Sequence, residues 1–276
     1  MTIFFAWASP AFYTKSPVDH TWVTTYDNRQ FNYPSVAAVS AAGKDCWLCW
    51  GDYRPQGGIP GNPTGILGQK SGDLNFARCV VQPNADSRHV PAARGTIFSY
   101  AIDGVCHQLS NQVLYATAGT RLTVGKARGY FASAYLYGTY GVNVADWKNR
   151  VQGCAPPVVV AAAGIAPMGG PMQPEETDGQ DDFTERATAV LAEDAPELLA
   201  QLLALREQVR IAMIERAPEA AAADAEFLNA QNQRLLNHAA ELLGPLRFQE
   251  VFGFPAGEEI DLVDPEMLAA DRMQRE

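Results

Sequence analysis

The chain has 276 residues, 47% of them hydrophobic and 10% aromatic, with a formal net charge of −10. That length and composition exclude a disordered polymer and allow a sizeable core in one or two domains of ~100–200 residues each. No run approaches the ~18 uninterrupted apolar residues of a membrane-crossing helix, so no membrane span is expected.

Charge divides the chain. Residues 1–155 hold 13 Lys/Arg against 8 Asp and no Glu, whereas the remainder holds 8 Arg against 23 acidic residues. Two regions with different surface chemistry are implied. The basic residues of the first region are scattered, which argues against a nucleic-acid partner. The N-terminus MTIFFAWASPAFYTKSP lacks a basic stretch before its apolar run. A cytoplasmic location is therefore expected, with export lacking an ordinary signal peptide as the other option. Cysteines stand at 46, 49, 79, 106 and 154. An odd number in a chain of this size does not read as a disulfide framework, and a reducing compartment is the simpler reading.

In chain order, HTWVTTY (His20–Tyr26) alternates in the manner of a strand and is rich in β-branched and aromatic residues. DCWLCWG (Asp45–Gly51) is a second strand candidate, and NFARCVVQ and RGTIFSYAI are two more. Residues 51–73 between them, dense in glycine and proline, predict a long loop. A helix is predicted over 105–117, with Asp103 as cap, Val105, Leu109 and Val113 on one face, and Gly119 as stop. GYFASAYLYGTYG is expected to form a strand pair or a loop packed on the core.

Residues 155–182 are low-complexity Ala/Pro/Gly followed by acid and predict a linker. Beyond it the period becomes helical. Pro196 suits a first turn, and Leu198, Leu202, Leu205, Val209 and Met213 trace one face. A second helix starts near Pro218, carries Phe227, Leu228, Leu235, Leu236, Leu242 and Leu243, and stops at Gly244–Pro245. The expected organisation is thus an α+β domain over 1–154, a flexible linker over 155–182, and an acidic α-helical hairpin with a tail over 183–276, open to a protein partner.

Chemistry centres on DGVCHQLSNQVLYATAG (Asp103–Gly119). A helix N-terminus stabilises a thiolate through unpaired N–H groups and partial positive charge, and Cys106 is placed for it. Of the four histidines, His107 points about 100° away from Cys106 on the same helix. His238 falls in the acidic helices, and His89 in the turn-like PNADSRHVP. His20, opening a strand that shares its core, is the favoured base.

With DHTWV upstream, the segment resembles the permuted papain-fold cysteine hydrolases, the NlpC-type and lecithin–retinol-acyltransferase-like group. There a strand histidine precedes, in the chain, a cysteine that starts a helix. The resemblance implies a permuted papain-like fold over roughly residues 15–140 and a thiol hydrolase, amidase or peptidase, acting on a peptide, amide or ester. Cys106 would be nucleophile and His20 general base, with no cofactor. Cys106–His107 and Asn111 only approximate the family motif at the helix start, and its third polar residue has no counterpart in DCWLCWG, which offers Asp45, Cys46 and Cys49. Gln108 and Asn111 read as capping or helix-surface groups.

Two rival readings exist. Cys46, Cys49, Cys79 and His89 could ligate a structural zinc. Against it, alternation sends Cys46 and Cys49 to opposite faces of a strand. The other rival is a non-catalytic binding or adaptor protein working through its acidic helices.

Overall fold

The computed structural model describes residues 2–11, 16–31, 36–47, 65–82, 98–116, 122–154 and 181–275. The fold is mixed α+β, built on a four-stranded antiparallel sheet in the order β3-β2-β1-β4. The apolar N-terminus is strand β1 (Thr2–Pro10), paired on one side with β2 (Asp19–Thr24) and on the other with β4 (Gly65–Gly72). Strand β3 (Cys46–Trp47) pairs with Val23 and Thr24 of β2. The register sets Trp7 opposite Trp22 and Ser9 opposite His20. Trp7 and Trp22 are fully buried, and the Trp7 indole N–H donates to Thr24 Oγ1 at 2.8 Å.

Among the described residues the first half contains helices α1 (Val36–Ala41), α2 (Leu74–Val81), α3 (Cys106–Tyr115), α4 (Tyr130–Tyr137) and α5 (Val144–Gly153). The expected strand over NFARCVVQ is α2. Asp73 caps it by accepting from the Phe76 amide at 2.9 Å, and Ala77, Val80 and Val81 bury one helical face. A short apolar run carries both periods, and here the cap decides. GYFASAYLYGTYG is likewise helical in α4, bracketed by Gly129 (φ +75°) and Gly138 (φ +78°) in backbone conformations that side chains resist. Within RGTIFSYAI the described residues form a turn closed by a Tyr100–Gly104 bridge. Part of the expected glycine-rich loop is strand β4. Residues 51–64 and Gly119 lie outside the described residues.

Helix α3 forms where expected, but Val105 rather than Asp103 stands at its N-cap. The Asp103 carboxylate instead accepts from the Ser99 amide at 2.6 Å and from Asn143 Nδ2 at 2.8 Å.

The second half contributes α6 (Asp182–Leu191), α7 (Pro196–Glu215), α8 (Ala217–Ala220), α9 (Ala225–Phe252) and α10 (Pro265–Arg275). Leu202, Val209 and Met213 are the buried positions of α7. Helix α9 breaks at Gly244 (φ +69°) before Pro245 and resumes to Phe252. These helices pack on α4. The Tyr135 ring meets Phe183 and Phe252 at centroid distances of 5.0 and 5.4 Å, and Arg216 donates to Tyr137 Oη at 3.2 Å. One apolar cluster runs from the sheet through α4 into the helices. Of the expected linker, residues 155–180 lie outside the described residues, and Asp181 is the N-cap of α6.

Cys79 of α2 and Cys154 at the end of α5 form a disulfide. This corrects the reading of five unpaired cysteines. Spacing along the chain carries no trace of a pairing made by two helices that meet in space.

Candidate active site around Cys106

The sequence pattern that makes α3 also decides what faces Cys106. At the helix start the Gln108 side chain turns back and accepts from the Val105 amide at 3.1 Å, satisfying one orphan donor of the first turn. Its Nε2 donates to Gly138 O at 3.0 Å. Asn111 donates to Tyr130 Oη and Thr139 O and accepts from the Val124 amide, at 2.8–2.9 Å. Both residues are fully buried, so the expected helix surface is interior and only the capping role of Gln108 holds.

Beyond β3, the edge of β2 at Asp19–Thr21 is covered by the first turn of α3. His107 Nε2 donates to Asp19 O at 3.0 Å, because a carbonyl can only accept. In the neutral ring, Nδ1 then accepts from Ser133 Oγ at 2.8 Å. Burial pushes the His107 pKa down to about 4, so the ring is neutral and structural at physiological pH.

Cys106 occupies the first helical position, its Sγ 3.9 Å from Asp19 O. Burial pushes the thiol pKa up to about 11; hydrogen bonds from the Thr21 amide and hydroxyl and from the His107 amide favour the thiolate, while the Asp264 charge opposes it. Thr21 Oγ1 also meets Ser110 Oγ at 3.1 Å, fixing helix to strand.

His20 lies between Asp19 and Thr21 and lines the same cavity as Cys106. Alternation turns Thr21 toward α3 and His20 with Trp22 to the other side, where the two rings stack at 5.5 Å. Cys106 and His20 thus line one cavity, with the His20 ring turned to the face of β2 opposite Thr21. The cavity is about 10 Å³, at the threshold for a single water. Cys106 is 5% and His20 2% exposed.

Sequence reasoning missed Asp264. It lies in the C-terminal segment, 1% exposed, and lines this cavity beside Tyr100, Leu262 and Met267. Its Oδ1 caps α10 by accepting from the Glu266 and Met267 amides at 2.7 and 3.1 Å. Its Oδ2 is buried with no hydrogen-bond partner among the described residues. Burial raises the carboxyl pKa to about 6. The only sequence signal was an Asp-Pro helix start in the tail.

For the rival zinc reading, Cys79 is consumed by its disulfide, Cys46 is buried in β3, and Cys49 and His89 lie outside the described residues. Among the described residues no cluster of three or more His, Cys, Asp or Glu could hold a metal. His238 is exposed on α9. A larger cavity of about 520 Å³ between the α4–α5 connection and α7 contains neither Cys106 nor His20. Its Arg206 pairs with Asp181 and its Arg210 with Glu207.

No helix among the described residues is long and apolar enough to cross a membrane. Comparison with protein-family models, with curated proteins and with solved structures found no match.

Proposed function

We propose that the protein is a thiol hydrolase of permuted papain-like type, captured in a closed form, with Cys106 as nucleophile and His20 as general base. The observation that carries the reading is Cys106 at the first position of α3, set against the open edge of β2 beside His20, with the Thr21 and His107 amides directed at its sulfur. Helix start and amides are the groups that stabilise a thiolate once water or substrate reaches it.

In the reaction, the Cys106 thiolate attacks an acyl carbon and a C–S bond forms. The Cys106 amide, a first-turn donor with no intrahelical acceptor, holds the oxyanion. His20 imidazolium gives its proton to the departing amine or alcohol as the C–N or C–O bond breaks. Water, deprotonated by His20, then attacks the thioester, and the acid and free thiol are released.

The test is the pH dependence of Cys106 alkylation, followed by mass spectrometry in wild type and His20→Ala. A fast-labelling fraction whose pH profile shifts in the variant is expected. Labelling that tracks an ordinary buried thiol and ignores His20 would refute the proposal. It would favour a second reading, in which Cys106 is a structural residue of a binding protein. The raised thiol pKa and the near-absence of free volume speak for that second reading.

The Cys79–Cys154 bond supports folding in an oxidising setting over the expected cytoplasmic one, because cytosolic thiols are kept reduced.

A further inference from the structure

After a turn at Ala256–Gly257, the chain from Glu258 to Asp264 runs without helix or strand between α9 and the first half of the molecule before α10 begins. Its backbone is held by side-chain amides spaced one helical turn apart. Asn229 donates from Nδ2 to Val263 O at 2.9 Å and accepts at Oδ1 from the Val263 amide at 2.8 Å. One turn along α9, Gln233 accepts from the Ile260 amide at 2.9 Å and donates to Glu258 O at 3.3 Å. From the other wall Tyr100 donates to Leu262 O at 3.4 Å and accepts from the Asp264 amide at 3.1 Å. Ser16 Oγ accepts from the Asp261 amide at 3.0 Å.

Side-chain amides that grip peptide N–H and C=O groups read an extended backbone, not a particular sequence. Specificity then falls to the pockets that bury Ile260, Leu262 and Val263, all 2% exposed or less. The segment ends with Leu262 and Asp264 in the cavity lined by Cys106 and His20, beside Met267 of α10.

We infer that this groove between α9 and Tyr100 is a binding site for extended polypeptide leading to Cys106, and that the C-terminal segment occupies it in cis as a built-in inhibitor. The inference rests on the hydrolase reading for its consequence, since it names that site's substrate as an extended peptide with aliphatic residues and its regulation as displacement of the segment. The groove itself stands on the amide ladder alone. Asp264 suits the inhibitory state, because it places a carboxylate rather than a scissile peptide in the cavity that Cys106 lines.

The experiment uses the full chain. Asn229→Ala/Gln233→Ala removes the ladder and leaves the apolar contacts of the segment, and circular dichroism reports whether the fold persists. Alkylation of Cys106 by iodoacetamide is expected to accelerate roughly tenfold or more, through opening of a segment that has lost its backbone bonds. A second full-length variant, Leu262→Asp, loosens the segment and leaves Asn229 and Gln233 in place. Its labelling is also expected to accelerate, and a synthetic peptide of residues 257–275 added to it in trans is expected to slow the labelling again. Unchanged labelling in a folded variant overturns the inference. So does acceleration of Leu262→Asp that the peptide leaves untouched, which marks general loosening. If the double variant fails to fold, Tyr100→Phe, which removes both of the tyrosine hydroxyl's bonds to the segment, takes its place with the same labelling readout. Should the peptide protect a thiol whose pH profile ignores His20, the groove stands and the hydrolase reading falls.

Discussion

Asp264, in the C-terminal segment, and Cys106, at the start of α3, line one small cavity. Burial first, and the Asp264 charge among the further causes, push the thiol pKa up to about 11. Asp264→Asn keeps an Oδ1 acceptor for the α10 cap and removes the charge. The thiol pKa is expected to fall by roughly half a unit to one unit. Initial rates of Cys106 alkylation between pH 8 and 10 measure this. A profile that does not move would show that the carboxylate has no hold on the sulfur.

The same carboxylate shapes stability. Its folded pKa of about 6 lies above the ordinary aspartate value of 3.8, so between those values the folded state binds more protons than the unfolded one. Stability from this group is therefore greatest in acid and falls as pH rises toward 6. Asp264→Asn is expected to gain about 1–3 kcal/mol at pH 7.5 and nothing near pH 3.5. Urea unfolding at both values tests it, and a gain that is the same at the two would point to packing instead of charge.

His107 pulls the other way. Burial lowers its pKa from 6.5 to about 4, partly offset by Asp19, so the folded state resists protonation and stability drops as pH falls from about 6.5 to 4. His107→Gln loses the ring's bonds to Asp19 O and Ser133 Oγ and is expected to cost about 1–3 kcal/mol at pH 7.5. That deficit should shrink by pH 4.5, where the wild-type ring is being forced to charge. Chemical unfolding at the two pH values decides, and a constant deficit would contradict a neutral buried ring.

The parts of this fold legible in the sequence are those whose period is long and whose neighbours are local. β2, the start of α3 at Cys106 and the apolar face of α7 have such signals. α2 and α4 were opaque because short apolar runs satisfy both periods, and Asp73 or a left-handed glycine settles the matter from outside the run. β4 hides because its glycines and lysine read as loop. At the candidate site, Cys106 and His20 carry a chain-order pattern, whereas Asp264 reaches the cavity through tertiary packing alone. No local rule links a tail aspartate to a thiol in another element.

Arg206 joins the two halves of the molecule. It meets both oxygens of Asp181, Thr184 Oγ1 at 3.0 Å and Ala134 O at 3.0 Å, and stacks over Phe183 at 5.0 Å. Burial raises the Asp181 pKa, but the Arg206 charge and hydrogen bonds outweigh it, so the net shift is downward. With its folded pKa depressed, the carboxylate contributes stability above the unfolded value of 3.8 and loses it as pH falls through the folded one. Arg206→Met strands the carboxylate in a largely buried setting and is expected to cost about 3–5 kcal/mol at pH 7. Arg206→Met/Asp181→Asn should recover most of that loss. Thermal unfolding of the single and double variants tests the pair, and a double variant no better than the single would leave the ion pair without a stabilising role.

The Cys79–Cys154 bond closes a sequence separation of 75 between α2 and the end of α5. Chain-entropy arguments assign such a closure about 4 kcal/mol, acting mostly by restricting the unfolded chain. Cys79→Ser/Cys154→Ser is therefore expected to lower the unfolding midpoint by roughly 10 °C in a chain of this size. The bond is anchored on α2, which packs against α3, so its loss should also raise the labelling rate of Cys106. Alkylation of the unreduced, denatured chain provides the direct check: Cys79 and Cys154 should stay unmodified while Cys46 and Cys106 react. If all four take up the reagent, the protein folds reduced, and a cytosolic setting becomes the better reading.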